Sequence, residues 1–199
     1  TLNNVEDSLK EIEKAIQLDP ERPRSYLNRA LLQLNAKQIA AAEESFRKAI
    51  QLDPNSVPAL LALGNFYQGP RRWPEAAQQY RRALQIDPKN HLPYAALALL
   101  HLAQGQRSQA EQVLLDARQA LPDKPEGYRL LGELYFSTGE LDKALVEFAS
   151  LYQEHPKDLH VKSNYIQLLI LRDRLEEATR LNDEIFNENP RDAQALIQR

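Results

Sequence analysis

The chain contains no cysteine and no methionine. Without a thiol it can form neither disulfides nor thiolate metal sites, and thiol catalysis is excluded. The redox compartment stays open, because a cysteine-free chain suits the cytoplasm and an exported bacterial protein alike. The missing methionine leaves no initiator, so the sequence reads as a segment of a longer protein that continues in both directions. Glycine is scarce, at 6 of 199 residues. No apolar run approaches the roughly 20 residues that cross a bilayer, and Thr1–Lys10 does not resemble a signal peptide. The formal net charge of −3 offers no overall attraction to nucleic acid or to an anionic membrane. Glycine-rich phosphate loops and the HExxH metal motif are also missing, so the expectation is no enzymatic activity, no cofactor and no metal.

What the chain does have is proline in register. Pro20, Pro54, Pro88, Pro122, Pro156 and Pro190 follow one another at intervals of 34 residues, without an insertion anywhere. A fixed period of this size means a stack of like units. Within Pro23–Pro54, Tyr26, Leu27, Ala30, Leu31 and Leu34 recur at helical spacing. After a break near Asn35–Gln38 comes a second run of Ile39, Ala42, Phe46, Ala49, Ile50 and Leu52. Asp53-Pro54 ends it, because the residue before proline is pushed out of the α region and proline cannot continue a helix. Each unit therefore reads as two antiparallel helices joined by short turns.

The same positions repeat by size. A small residue recurs in the first helix at Ala30, Gly64, Ala98 and Gly132, and another in the second helix at Ser8, Ala42, Ala76, Ala110, Ala144 and Ala178. Large residues occupy Ile12, Phe46, Tyr80, Leu114 and Phe148. A third column runs Ala15, Ala49, Ala83, Ala117, Leu151, Ile185. Gly105 and Gly139 fall in the turn inside a unit, where positive φ costs glycine least. Gly69-Pro70 makes the corresponding turn of its own unit look unlike the rest.

These landmarks resemble the tetratricopeptide repeat, a 34-residue helix–turn–helix. The closest match is Tyr128, Leu131-Gly132, Tyr135, Gly139, Ala144, Phe148 and Pro156, and Leu60, Leu63-Gly64, Tyr67, Ala76, Tyr80, Ala83 and Pro88 follow nearly as well. Departures lie in the last full unit, where Lys162 replaces the early aromatic, Ile166 the small residue and Asn182 the large one. The resemblance implies an all-α fold, a right-handed superhelical solenoid of twelve helical segments, ten of them in full pairs. The whole of 1–199 is then a single array: a half repeat at 1–22, full repeats at 23–56, 57–90, 91–124, 125–158 and 159–192, and the start of another at 193–199, with Ala195, Leu196 and Ile197.

In such an array the first helices line an inner, concave groove. The inward residues read Leu27, Leu31 and Leu34; Leu61, Asn65 and Gln68; Leu92, Leu99 and Leu102; Arg129, Glu133 and Phe136; and Ser163, Gln167 and Ile170. These leucines either pad neighbouring first helices or form a binding stripe, and a continuous apolar stripe favours binding. Two groove chemistries of the family do not match. A carboxylate clamp would need Lys, Asn and Arg where this chain has Leu61, Asn65 and Ala96. An asparagine ladder, as in the arm of O-linked N-acetylglucosamine transferase, fails at Ala62, Ala96 and Leu130.

Other candidates carry bland readings. Glu43-Glu44 and Glu176-Glu177 read as solvated surface, Trp73 as a buried packing residue, and His101 as a packing residue with a hydrogen-bonded ring nitrogen. His155 and His160 flank Pro156 with no third ligand. Repeat 57–90 has a net charge of +3 and repeat 125–158 a net charge of −4; this asymmetry either orients a partner or is simply solvated. The functional expectation is a non-enzymatic scaffold that binds a peptide or amphipathic helix through its apolar groove, without nucleic acid and without membrane insertion. The alternatives are the substrate-recruiting arm of a larger enzyme, or a self-assembling scaffold. The apolar faces of the cut terminal helices are expected to associate end to end as a product of truncation, whereas biological self-assembly would use another surface.

Overall fold

The structure, a computed structural model, describes residues 2–188. Pro190 and the predicted helix start at 193–199 lie outside the described residues. Among the described residues there are twelve helices and no strand: α1 (Leu2–Leu18), α2 (Pro23–Asn35), α3 (Ile39–Leu52), α4 (Val57–Gln68), α5 (Trp73–Ile86), α6 (His91–Ala103), α7 (Arg107–Ala120), α8 (Pro125–Tyr128), α9 (Leu130–Ser137), α10 (Leu141–Glu154), α11 (Leu159–Leu171) and α12 (Leu175–Glu188). The expected twelve segments counted a terminal stub. Here the twelfth arises because one first helix is broken into α8 and α9 at Arg129. That residue keeps helical dihedrals, φ −80° and ψ −18°. Its Nε donates to the Pro125 carbonyl at 3.0 Å, while its own amide reaches that carbonyl at only 3.3 Å. The side chain thus competes with the backbone for one acceptor.

All five turns inside the hairpins share one geometry. Lys37, Arg71, Gly105, Gly139 and Asp173 have φ between 58° and 76°, and each lies 34 residues after the last. In each turn the next residue's amide bonds back five residues, as in Gln38 N to Gln33 O at 2.8 Å and Arg72 N to Tyr67 O at 2.9 Å. The left-handed residue's own amide bonds back three, as in Lys37 to Leu34. This pair of bonds is the Schellman motif, which satisfies the last carbonyls of a helix. The turn around Gly69-Pro70 is therefore like the others, since its left-handed residue is Arg71 and Gly69 itself is right-handed, at φ −53°.

The chain divides into two compact units, Thr1–Val113 and Leu114–Arg199, with the boundary inside α7. In the first unit the small and large columns interlock. Ala42, Ala49, Ala76 and Ala83 have no exposed surface, and neither do Phe46 and Tyr80. Phe46 and Phe66 pack with ring centroids 5.8 Å apart, and half-buried Trp73 rests against the same cluster. Successive hairpins are tied at the proline turns. The Tyr26 hydroxyl donates to the Pro20 carbonyl at 2.9 Å and Tyr94 to that of Pro88 at 3.2 Å. Between them Leu60 has no hydroxyl to offer, and the Pro54 carbonyl accepts from Arg82 Nη2 instead.

In the second unit Ala144, Phe148, Leu151, Val161 and Leu168 are fully buried together. Tyr128 here bonds sideways, donating to Asp158 Oδ2 at 2.5 Å. Asp158 also caps α11 by accepting from the amides of His160 and Val161. The last hairpin, α11 with α12, closes with its volumes inverted: Ile166 stands in the small column and Asn182 in the large one. Leu169, Ala178 and Leu181 form its core, against which Ile166 and Tyr165 pack. Lys162, in the aromatic position, is 2% exposed.

Candidate functional site

The predicted inner residues sort into two kinds once burial is known. In the first unit Leu27, Leu34 and Leu61 are half-buried and pack against the core. Leu31, Leu92 and Leu99 are different, being 45%, 51% and 61% exposed. Leu31 and Leu99 hold the same register on α2 and α6, and Asn65 takes that register on α4. Asn65 is exposed, while Gln68 and Leu102 are half-buried. Asn65 Oδ1 accepts a 2.7 Å hydrogen bond from the hydroxyl of Tyr80, a side chain with no exposed surface whose pKa burial pushes up to about 12. The ring reaches that far because position 64 is glycine. A Cβ there would stand 2.8 Å from Tyr80 Cδ1.

In the second unit the inner residues are drawn into local contacts. Arg129 is held by Pro125 and lies 3.7 Å from Asp158. Glu133 lies 3.7 Å from His160 Nε2, and half-buried Phe136 packs on the core. Ser163, Gln167 and Ile170 line a groove of about 460 Å³ with Ile166, Ala178 and Asn182. Part of the charge asymmetry is met by ion pairs within each unit. Arg72 of the basic repeat pairs with Glu43 and Glu75. In the acidic repeat Arg118 pairs with Glu147 and Glu154, and Arg172 with Asp142.

Glu43 is the residue that sequence reasoning misses. It is not solvated surface: it accepts from Arg47 at 2.8 Å, Tyr67 at 3.1 Å and Arg72 at 3.0 Å, while the Arg72 guanidinium lies 4.3 Å from the Tyr67 ring centroid. Burial pushes its carboxyl up, but the hydrogen bonds from Arg72, Tyr67 and Arg47 outweigh this and hold it below the usual range. No spacing rule could find this cluster, because α3, α4 and the start of α5 each contribute to it. The histidines go separate ways. His155 stacks on Tyr128 at 3.8 Å, and His101 Nδ1 meets Gln106 Oε1 at 2.7 Å, as expected of a packing residue. Among the described residues no group of His, Cys, Asp and Glu could hold a metal ion, and no helix is long and apolar enough to cross a membrane.

Stacked helical hairpins with small-to-large interlock and a recurrent Schellman turn define a class of all-helical repeat protein. Two family profiles described as Tetratricopeptide repeat match the chain, one over 69–134 and 135–199 and the other over 23–56. The chain belongs to the tetratricopeptide-repeat family. Among solved structures it is similar to PilF of Pseudomonas aeruginosa, at 19% identity and a TM-score of 0.62 over 94% of this chain and 86% of that one. It is also similar to a thermophilic repeat protein of Thermus thermophilus, TTC0263, at 26% identity and 0.55 over 85% and 92%. A third is YrrB, a repeat protein described as having an unusual peptide-binding site, at 23% and 0.52 over 90% and 92%. No curated protein matches the sequence.

Proposed function

We propose that this chain is a non-enzymatic scaffold that binds a protein segment, a peptide or an amphipathic helix, on the first-helix face of its first unit. The observation that carries the reading is the exposure of Leu31, Leu92 and Leu99 on one face. Leu31 and Leu99, at matching places on α2 and α6, and Leu92, two turns before Leu99 on α6, are large apolar side chains left in water that supply anchors for apolar side chains of a partner. Leu27, Leu34, Leu61 and Leu102 form the floor beneath them, and Asn65 and Gln68 are its polar points. YrrB, with the same fold, is described as having a peptide-binding site, which fits this use of the architecture. Within the second unit, considered by itself, Arg129, Glu133, Phe136 and Ile170 offer a separate, more polar set of candidate contacts.

The test is capture of partners with the wild type and with Leu31→Asp/Leu99→Asp. Both positions are exposed, so the double variant should fold, and circular dichroism verifies this. Loss of the captured set is expected. An unchanged set from the folded double variant overturns the reading.

A further inference from the structure

A single carboxamide stands at the register that leucine holds on the neighbouring first helices, and its orientation is fixed from below. Tyr80 lies wholly inside the first unit, and its hydroxyl has one partner among the described residues, Asn65. A phenol hydrogen buried away from water must find an acceptor. The amide's oxygen is the only acceptor the Asn65 side chain can present, so the oxygen turns inward and the Nδ2 amino group turns outward. That amino group makes no hydrogen bond among the described residues. The arrangement needs three residues of this repeat together: Gly64 to admit the ring, Tyr80 to carry the hydroxyl, and Asn65 to receive it. The hairpins with Phe46 or Phe148 have no hydroxyl at the same register, and they carry Leu31 and Glu133 in place of Asn65.

We propose that Tyr80 is a positioning residue that aims Asn65 Nδ2 as the registering donor of the apolar face, and that the partner it selects is an extended peptide whose main-chain carbonyl accepts from it. This rests on the peptide-binding reading of that face. Covering Asn65 with apolar side chains alone would leave its donor unmet, so the donor discriminates against partners without an acceptor there. An interior carbonyl of a helix already accepts within its own helix. In an extended segment the carbonyls are unpaired, and alternate side chains can lie on Leu31 and Leu99 to either side.

The experiment selects a random phage-displayed library of peptides about 12 residues long, roughly 40 Å when extended, on the wild-type chain. One selected peptide is then synthesised together with a series in which each backbone amide in turn becomes an ester, which weakens one carbonyl as an acceptor. Asn65→Leu is expected to reduce its affinity about 5- to 100-fold, and Tyr80→Phe, which keeps the ring and removes only the hydroxyl, about 2- to 10-fold. One ester position should weaken binding to wild type yet leave binding to Asn65→Leu unchanged, a signature that a loss of core packing would not produce. Peptides that lose binding to Leu31→Asp/Leu99→Asp but bind Asn65→Leu undiminished overturn this inference alone. So do selected peptides that bind as helices. Peptides indifferent to the leucine double variant overturn the face itself.

Discussion

Gly64 and Tyr80 occupy one space: a methyl group on the glycine would lie 2.8 Å from Cδ1 and 2.9 Å from Cζ of a ring that has no exposed surface. At Gly132 the equivalent methyl would lie 2.9 Å from Phe148 Cε2, 3.1 Å from Cζ and 3.2 Å from Cδ2. Replacing a helical glycine by alanine ordinarily gains about 1 kcal/mol, and overpacking a core costs about 1–3 kcal/mol. On these magnitudes Gly64→Ala is expected to destabilise by about 1–2 kcal/mol, and Gly132→Ala to fall nearer zero. Urea titration of both variants measures the difference, and a more stable Gly64→Ala would contradict the interlock.

The turns make an asymmetric prediction. A left-handed backbone costs a non-glycine residue about 1–2 kcal/mol, and Lys37, Arg71 and Asp173 bear that cost at positions exposed to solvent. Gly105→Ala and Gly139→Ala should each lose about 1 kcal/mol. Lys37→Gly and Asp173→Gly should stay within about 0.5 kcal/mol of wild type or exceed it, because the relief of strain is offset by a freer unfolded chain. Melting temperatures of the four variants check this. A large loss at Lys37→Gly would show that its side chain, and not the backbone bond pattern, holds the turn.

Glu43 should make the first unit sensitive to acid. A carboxyl whose folded pKa lies below its unfolded value of about 4.3 binds fewer protons folded than unfolded. Its contribution is complete above the unfolded value and is lost as the pH falls through the depressed folded one. Wild type should thus lose stability between about pH 5 and pH 3 more steeply than Glu43→Gln, which begins lower at neutral pH. Denaturant unfolding at several pH values would refute the idea if the two curves ran parallel.

Arg118 gives the opposite sign in the second unit. It donates to Glu147 at 2.8 Å and to Ser150 at 3.0 Å, and it pairs with Glu154. Burial pushes the Glu147 carboxyl up, although Arg118 draws it back. Arg118→Leu strands that carboxylate, at an expected cost of about 1–3 kcal/mol at neutral pH. A group with a raised folded pKa binds more protons folded than unfolded, so its penalty shrinks on acidification. The deficit of Arg118→Leu should narrow between about pH 7 and pH 4, and Arg118→Leu/Glu147→Gln should recover part of it at neutral pH. A deficit constant with pH would count against the stranded charge.

The small and large columns are legible because volume repeats at fixed register, but that Gly64 faces Tyr80 and Gly132 faces Phe148 is read only from the structure. The left-handed positions are legible only where glycine marks them, at Gly105 and Gly139. At Lys37, Arg71 and Asp173 the hydrogen-bond pattern imposes the conformation on residues that do not advertise it, and Gly69-Pro70 draws attention to the wrong place. Glu43 is illegible because its partners come from three different elements. Asn65 and Tyr80 each fall where the periodicity puts them, one on the inner face and one in the large column. Their hydrogen bond crosses columns that sequence reading treats separately, and the orientation of the carboxamide follows only from that bond.

The recurring turn has a practical consequence in a chain without cysteine. Lys37, Arg71 and Asp173 stand exposed, far from the core, in a backbone held by its own amides. A cysteine placed at any of them bears about the same left-handed strain as the residue it replaces. Each of these three hairpins can thereby be given a single addressable thiol at an equivalent point, where a fluorophore or spin label can report the opening of that hairpin alone against an otherwise silent background.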